Sequence, residues 1–359
     1  MEEIYRILAI NPGSTSTKVA VYRNTKSRFI KTIRHSAEEL AGFKKITDQF
    51  QYRKEMVLAE LENAGIDVMQ LSAVIGRGGL VKPIESGVYG VNEKMKEDLR
   101  EGVMGQHASN LGGLIADEIA RSVPGARAFI ADPVVVDELQ DIARLTGHPR
   151  FERKSIFHAL NHKAIAKAHA RSQDRKYEDM NLVVAHLGGG ISVGAHRRGR
   201  VVDVNQALDG EGPFSPERSG TLPVGDLVDF CFSGQASREE IRKMITGKGG
   251  LVAYLGTNDA YEVEMRARKG DEKARLVQEA MAYQIGKAIA SMAAVLHGEV
   301  DSIIITGGIA HNTDVVEYLK KMVSFIAPVA VYPGEDEMNA LALNAYLVMT
   351  GDVKAKEYV

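Results

Sequence analysis

The chain has 359 residues, of which 45% are hydrophobic and 26% charged, as is typical of a soluble globular protein. Its 45 basic and 47 acidic residues leave a formal net charge of −2, so the composition gives no electrostatic reason to expect binding to nucleic acid or an anionic membrane. At about 150 residues per domain, the length predicts two domains. A small molecule is therefore the expected ligand.

Cysteine usage and the N-terminus bear on the compartment. A single cysteine, Cys231, excludes an internal disulfide and any CxxC motif, and favours a reducing environment. The first residues lack the basic region and the apolar length of a signal peptide. The longest mostly apolar stretch, residues 288–296, is about half a membrane span. We expect a cytoplasmic protein that does not cross a membrane.

The first predicted element is a β-hairpin with small residues at its turn. Residues 4–10 and 19–22 read as strands, and the segment from Asn11 to Lys18 between them offers an amide, hydroxyls and a lysine. Glycine at such a turn lets backbone N–H groups approach phosphate oxygens. The turn is not a P-loop, because Thr17 occupies the place of the glycine that should precede Lys18.

Helices and strands alternate after this hairpin. The patterns predict helices at residues 37–43, 52–64, 92–101 and 112–122, and strands at residues 73–75 and 128–131. Such alternation predicts an α/β fold.

A second copy of the hairpin follows about 175 residues after the first. Residues 182–185 lead into His186 and the Gly188-Gly189-Gly190 turn, and a strand follows the turn. In this register Asn11 corresponds to His186 and Gly13 to Gly188. Each hairpin continues toward a third strand, at residues 28–33 and 200–204. Two copies at this spacing indicate duplicated domains rather than a solenoid.

The remaining elements add a third glycine turn. We predict helices at residues 226–232, 238–246, 272–297 and 337–350, the last packing back onto the first domain, and a strand at residues 301–306. The strand ends in Gly307-Gly308 before a helix that begins near Thr313. In α/β sheets ligands bind at the carboxyl ends of strands, so this turn is a candidate nucleotide contact.

Six sequence blocks, in this order, resemble the acetokinase family of the superfamily of actin-like ATPases, sugar kinases and heat-shock chaperones. They span residues 10–18, 76–79, 157–162, 186–190, 217–220 and 307–312. The stretch Gly-Pro-Phe-Ser-Pro-Glu-Arg-Ser-Gly at residues 212–220 looks like the butyrate kinase branch of the family, and the Gly-Gly-Ile-Ala-His-Asn block points to the same branch.

The resemblance implies two duplicated actin-like ATPase (ribonuclease H-like) α/β domains. Each would be a mixed β-sheet flanked by helices, with a nucleotide cleft between the two domains. The N-terminal domain would comprise residues 1–147 plus 338–359, and the C-terminal, nucleotide-binding domain residues 148–337. The resemblance also implies a homo-oligomer.

The implied activity is reversible phosphoryl transfer from ATP to a short-chain carboxylate in the presence of Mg²⁺, giving an acyl phosphate and ADP. Butanoate is the first expectation; isobutyrate, propionate and acetate are alternatives. In-line attack needs no protein nucleophile, because the carboxylate is already deprotonated at neutral pH. An alternative of another class is a nucleotide-driven binding switch, as in the actin and chaperone members of the superfamily.

The resemblance also implies which residues take part in catalysis and in substrate binding. His158, Arg218 and Arg77 would stabilise the transferring phosphoryl group, and Arg77, His107 and Asp132 would bind the substrate carboxylate. His158 is expected near the start of a helix capped by Ser155. His162, four residues on, would give a zinc-like spacing, but Ala159 replaces the glutamate that zinc proteases use.

The resemblance also assigns nucleotide and metal ligands. The nucleotide ligands would be Asn11, Ser14, Ser16, Lys18, His186, Gly188, Gly189, Gly190, Asp259, Gly307, Gly308, Ile309 and Asn312. Asn11, Asp132 and Glu337 would bind Mg²⁺. Glu335 and Asp336 are alternatives to Glu337 as the metal-binding acid. The glycine count of 35 exceeds the average of about 7% by roughly ten residues, and we interpret the surplus as anion-contact turns.

Overall fold

Residues 3–359 are described by a computed structural model as eleven strands and thirteen α-helices. The strands are β1 Arg6–Pro12, β2 Ser16–Arg23, β3 Lys26–Arg34, β4 Ala73–Arg77, β5 Val88–Gly90, β6 Arg127–Ala131, β7 Asn181–Leu187, β8 Ile191–Arg197, β9 Arg200–Val204, β10 Ser302–Gly307 and β11 Val329–Pro333. The helices are α1 Ala37–Ala41, α2 Phe50–Asn63, α3 Glu93–Glu101, α4 Asn110–Arg121, α5 Asp141–Arg144, α6 Ala159–Ser172, α7 Val224–Phe232, α8 Arg238–Ile245, α9 Gly250–Leu255, α10 Ala260–Arg268, α11 Glu272–Val295, α12 Thr313–Val323 and α13 Glu337–Met349.

The strands form two mixed sheets with the same design. The first has the order β3-β2-β1-β4-β6-β5 and the second the order β11-β10-β7-β8-β9. In each, a three-stranded antiparallel meander is extended by two parallel strands, so β1, β2, β3, β4 and β6 correspond to β7, β8, β9, β10 and β11. The duplication predicted from the two glycine hairpins is therefore confirmed, and Asn11 and His186 occupy the same, sixth position of β1 and β7.

The chain divides into two units, Met1–Val136 with Asp336–Val359, and Asp137–Glu335. In the first unit Leu8 and Ile10 of β1 pack with α2 and α4 in one apolar core, while α13 covers the other face of β1 and β4. The last helix thus packs onto the first unit, as predicted. The segment from residue 137 to residue 147, which contains α5 and which the sequence prediction included in the first domain, lies in the second unit.

The second unit has a helix layer on each face of its sheet. Val193, Ala195 and Ile305 pack against α11 and α12 in the larger core, and Val184 and Ile304 pack against α6 in a smaller one. A sheet covered on both faces explains why β7, β8 and β10 are buried along almost their whole length. No helix among residues 3–359 has both the length and the apolarity needed to span a bilayer.

Candidate active site

Asn11, Arg77 and Glu337 form a polar cluster at one end of the first sheet. Strands β1 and β4 are parallel, and Ile10 pairs with Gly76. Asn11 and Arg77 are the next residues along the two strands, so they lie at the same end of the sheet on neighbouring strands. The Asn11 amide nitrogen donates to Glu337 Oε2 at 2.5 Å. Arg77 Nη1 lies 3.2 Å from Glu337 Oε1 and donates to Asn11 Oδ1 at 3.5 Å. Three predicted site residues are therefore brought together.

The structure gives each of the three neighbouring acids a different setting. Glu337, the first residue of α13, contacts Asn11 and Arg77 in the first unit. Asp336 is the N-cap of α13 and accepts a hydrogen bond from the Asn339 backbone N–H at 3.1 Å. Glu335 belongs to the second unit. Glu337 is thus the acid that accompanies Asn11.

The donor set of this cluster suits Mg²⁺. An amide oxygen from Asn11 and a carboxylate from Glu337 are hard oxygen donors, and Mg²⁺ usually takes only one or two protein ligands besides water and phosphate. Arg77 faces the same oxygens and orients the carboxylate. No group of three or more His, Cys, Asp or Glu residues that could hold a metal ion occurs between residues 3 and 359.

Asp132 and His107 lie in the same unit. Asp132 directly follows Ala131, the residue paired with Arg77 across β4 and β6, and it is 3% exposed with a positive φ of 39°. Its Oδ1 accepts from Ser86 Oγ at 2.7 Å and from the Gly87 N–H at 2.8 Å, which holds the carboxylate at the strand end.

The exposed His107 ring is oriented by its own loop. Its Nδ1 accepts the Ser109 backbone N–H at 3.2 Å. The same nitrogen lies 2.8 Å from Ser109 Oγ.

Arg53 supports the first glycine turn from behind, and sequence reasoning missed it. Its side chain is completely buried and donates to the carbonyls of Gly13, Ser14 and Ser16 at 2.7, 3.0 and 3.1 Å. The Gly13 N–H also donates to the Ser16 carbonyl at 2.7 Å, so the turn is held in one conformation from both sides. Burial lowers the pKa of Arg53. Lys18 is exposed on β2, opposite Asn11 in the strand register.

The glycines around Arg77 have a packing reason. A Cβ on Gly76 would overlap the Gly112 backbone of α4, and one on Gly79 would lie 2.5 Å from the Asn110 Cα. Glycine here allows α4 to approach the end of β4 closely. Packing therefore explains the glycines at these two positions, and their anion contacts remain predictions.

In the second unit, His158 and His186 stack on each other. Their ring centroids are 4.3 Å apart with the planes 29° from parallel. His186 Nε2 lies 3.4 Å from Glu335 Oε2, and the Asn161 amide donates to the same carboxylate oxygen at 3.3 Å. His158 is half-buried and His186 only 1% exposed. Two predicted histidines thus form one imidazole pair beside a carboxylate.

The start of α6 differs from the prediction. The helix begins at Ala159, and His158 itself occupies the N-cap position without a capping side-chain hydrogen bond. The predicted cap at Ser155 is therefore wrong, because the chain between Ser155 and His158 is not helical. His162 is completely buried and bonds Ser192 and His196, which leaves none of its nitrogens for a zinc ion.

Arg218 lies against the second glycine turn. Its Nη1 donates to the Ala207 carbonyl at 2.7 Å, and Ser215 Oγ donates to the Gly189 carbonyl at 2.7 Å, which ties the loop of Arg218 to the turn. Among the residues described, Arg218 Nε is buried without a hydrogen-bond partner, and Glu217 is a carboxylate that interacts electrostatically with the guanidinium. Burial lowers the pKa of Arg218. Such a cation is suited to an incoming anion.

The third glycine turn follows β10. Gly307 has a φ of 94°, and a Cβ there would overlap the Leu187 backbone, so the position requires glycine. Gly308 starts a short 3₁₀ turn that contains the buried Ile309. Asn312 caps α12 and also donates to Gln278 Oε1 at 2.9 Å. Asp259 likewise caps α10. The side chains of Asn312 and Asp259 are thus explained by capping, and their nucleotide contacts remain predictions.

Comparison with known proteins identifies relatives along the whole chain. The profile described as "Acetokinase family" matches residues 150–339. Butyrate kinase 2 of Clostridium acetobutylicum is 56% identical over 354 residues, which cover 99% of this chain and 99% of that protein. Butyrate kinase 1 of the same bacterium is 56% identical over 355 residues, covering 99% of this chain and all of that protein.

Solved structures show the same fold. Acetate kinase of Porphyromonas gingivalis matches 96% of this chain and 100% of its own with a TM-score of 0.78 and 18% identity. A propionate kinase of Francisella tularensis matches 95% of this chain and 98% of its own with a TM-score of 0.73 and 18% identity. These matches confirm the predicted actin-like ATPase architecture of two mixed sheets flanked by helices.

Proposed function

Because this chain belongs to the acetokinase family, we propose that it catalyses the reversible reaction butanoate + ATP = butanoyl phosphate + ADP. The observation that carries the proposal is the 56% identity over 99% of the chain to two butyrate kinases. Isobutyrate, propionate and acetate are the alternative acids, since one methylene in an apolar pocket changes specificity by only about 1–3 kcal/mol. The acetate and propionate kinases among the solved structures are 18% identical and support the fold alone.

The chemistry asks the protein mainly to hold anions and to stabilise charge. A carboxylate oxygen attacks the γ-phosphorus in line, the bond to the bridging oxygen of ADP breaks, and ADP leaves with the electron pair. We propose that Arg77 binds the carboxylate of the acid with its planar guanidinium, helped by His107, and that Asp132 lies near the acid and the proposed Mg²⁺. Arg218 and His158 donate hydrogen bonds to the phosphoryl oxygens as their negative charge redistributes.

The nucleotide is proposed to bind through the three glycine turns. The Asn11–Lys18 segment and the Gly188–Gly190 turn offer backbone N–H groups, and His186 stands at the end of β7 beside the second turn. Gly307, Gly308 and Ile309 would contact the nucleoside. Mg²⁺, held by Asn11 and Glu337 with Asp132 nearby, would neutralise phosphate charge when bound.

We extend the proposal to the quaternary state and the compartment. Helix α7 has no buried residue, yet Val224, Val228 and Phe232 are 72%, 48% and 87% exposed. An apolar helix face of this kind is proposed to pack on a second copy of the chain. Phe232→Glu should then lower the mass measured by light scattering, and an unchanged mass would exclude α7 from the contact. We place the reaction in the cytoplasm, where ATP and Mg²⁺ are both available.

The test is an acyl-hydroxamate assay with ATP, Mg²⁺ and a series of acids from C2 to C5, both linear and branched. We expect the highest kcat/KM with butanoate. A higher value with acetate or propionate would reassign the substrate. If no acid gives hydroxamate but ATP binding persists, the nucleotide-driven switch would replace the kinase.

A further inference from the structure

A continuous chain of hydrogen bonds runs from His158 into the interior of the second unit. His158 Nδ1 lies 2.9 Å from Ser192 Oγ, and the same hydroxyl lies 2.8 Å from His162 Nε2. His162 Nδ1 then lies 3.2 Å from His196 Nε2, and His196 Nδ1 lies 2.7 Å from the Tyr177 hydroxyl. Four contacts thus join a proposed phosphoryl ligand to a buried phenol. We call these five residues the histidine relay.

The relay forms where α6 packs on β7, because the side chains of the N-cap His158 and of His162 reach the neighbouring strand β8. His158 and His162 are one helical turn apart, and Ser192 and His196 lie on the same face of the strand. Between the latter two stands Gly194, where a Cβ would lie 3.4 Å from His162 Nδ1. The alternate residues of β8 face the apolar core on the other side of the sheet. Ser192, His162 and His196 are all completely buried.

The electrostatic surroundings keep the inner imidazoles neutral. Burial lowers the pKa of His162 and His196 well below the usual range, and Lys163 lowers both further. His186 also lowers the pKa of His162. The Lys163 ammonium bonds Glu138 at 2.7 Å and lies 5.5 Å from the centre of the Tyr177 ring. A neutral imidazole has one N–H and one unprotonated nitrogen, so each inner histidine donates one hydrogen bond of the relay and accepts the other.

A hydroxyl has one proton and two acceptor sites, so an arrangement in which Ser192 accepts from both histidines leaves the Ser192 proton without an acceptor in the relay. Two uniform polarities satisfy every contact with the Ser192 hydroxyl donating one hydrogen bond and accepting the other. In one, Tyr177 donates to His196, and each following group donates outward, so that the Ser192 hydroxyl donates to His158 Nδ1. In the other, every bond is reversed and His158 Nδ1 carries the proton. A phenol is a stronger acid than a neutral imidazole N–H, so the 2.7 Å contact is better made with Tyr177 as donor.

We infer that the histidine relay fixes the tautomer of His158, so that its Nε2 carries the proton offered to the phosphoryl group. Ser192, His162, His196 and Tyr177 are positioning residues, which act through His158 and touch no substrate. The inference rests on the proposed function for the role of His158, while the tautomer itself is a property of the protein alone. An Nε2–H imidazole is a donor, and a donor is what developing negative charge requires.

The first test reads the tautomers directly. Long-range ¹H–¹⁵N NMR of the histidine side chains, assigned with His158→Gln and His196→Gln, distinguishes Nε2–H from Nδ1–H rings. We expect His158, His162 and His196 all to be Nε2–H at pH 7.5. A ring of the relay in the Nδ1–H form would overturn the inference, whether or not the protein phosphorylates any acid.

The second test removes the far end of the relay. Tyr177→Phe deletes only the terminal hydroxyl, so His158 should show a mixture of tautomers, and kcat should fall about tenfold with little change in either KM. Ser192→Ala, which cuts the relay next to His158, should have at least the same effect on kcat. An unchanged His158 spectrum and kcat in Tyr177→Phe would refute the relay.

A matched control is the contact between Tyr332 of β11 and His169 of α6. Tyr332 donates or accepts a similar hydrogen bond with His169 Nδ1 of α6 at 2.9 Å, outside the relay. Tyr332→Phe removes an equivalent tyrosine–histidine contact, and we expect it to leave kcat and the His158 signals unchanged. If both tyrosine variants lowered kcat equally, the effect would be structural and the inference would fail. A wild-type protein without kinase activity would refute the proposed function, and the NMR result would still decide the tautomer.

Discussion

The second glycine turn allows Arg218 to be displaced without changing the arginine itself. Gly190 has no positive φ, so its backbone accepts alanine. The added Cβ, however, would overlap Arg218 Nη1 and lie 2.7 Å from Cζ, with the Ala207 carbonyl at 3.4 Å behind them. The guanidinium must therefore leave its hydrogen bond to the Ala207 carbonyl. Gly190→Ala is expected to move the positive charge of Arg218 away from the second glycine turn without removing any polar group of the protein.

The expected loss follows from what Arg218 is proposed to do. Removing one preorganised donor from transition-state charge lowers kcat by roughly 10²–10³, or about 2.7–4 kcal/mol. The lost carbonyl contact costs about 1–3 kcal/mol of folding stability, which leaves most of the protein folded at 25 °C. We therefore expect Gly190→Ala to lose two to three orders of magnitude in kcat in the hydroxamate assay.

Gly189 provides the comparison within the same turn. A Cβ on Gly189 would meet no atom within 4 Å, so Gly189→Ala should lose at most about fivefold in kcat. A double-mutant cycle tests the route: if Gly190→Ala acts through Arg218, adding it to Arg218→Ala should cost almost nothing more. Additive losses, or a Gly190→Ala enzyme as active as Gly189→Ala, would refute the reasoning.

Three further predictions concern stability and the first unit. The pKa values of His162 and His196 in the folded protein lie below the unfolded value of about 6.5. As the pH falls, the unfolded chain therefore binds protons that the folded chain does not bind. The free energy of unfolding, measured with urea, should fall by about 2.5 kcal/mol for the pair between pH 7 and 5.5. Arg53→Met should cost about 2–4 kcal/mol of stability, because it leaves buried carbonyls unsatisfied, and should raise KM for ATP more than KM for the acid in steady-state kinetics. Glu337→Gln should raise the Mg²⁺ concentration for half-maximal rate by about tenfold, and Glu335→Gln by much less, in a Mg²⁺ titration of the assay.

Controls and contrary outcomes differ among these experiments. For the pH dependence of stability, the exposed His148 provides the control, because His148→Gln should leave that dependence unchanged. A wild-type free energy of unfolding that stays constant down to pH 5.5 would contradict the prediction for His162 and His196. Arg53→Lys keeps the charge without the planar fork and should restore only part of the stability. Equal Mg²⁺ dependence in the two glutamate variants would remove Glu337 from the proposed metal site.

The duplicated fold could be predicted because its determinants are local. Apolar runs bounded by small residues marked β1, β2, β7 and β8, and the two hairpins repeated closely enough to set Asn11 against His186. Arg77 was predictable for the same reason, since it follows an apolar strand inside a glycine turn. Short elements such as β5 and α9 escaped prediction, because three to six residues carry too little periodicity.

The residues that support the site were not predictable in the same way. Arg53 lies in the first turn of α2 next to Lys54 and Glu55, and its burial depends on the glycine turn that packs against it. Ser192 and His196 alternate with apolar residues along β8, a pattern usually typical of a solvated strand face, but α6 covers that face. Long-range packing therefore decided which polar residues became internal.

The discontinuity of the first unit has a consequence for the order in which the protein is assembled. Helix α13 covers β1 and β4 and supplies Glu337 to Asn11 and Arg77, yet it is synthesised after all of the second unit. The second unit is continuous in sequence and can complete its core while the nascent first unit still exposes one apolar face of its sheet. Tyr358, buried against Asp98, is added later still. Synthesis thus forms the Asn11–Arg77–Glu337 cluster only after the second unit has been made, and a chain interrupted before α13 would carry a finished second unit but no carboxylate from Glu337 at that site.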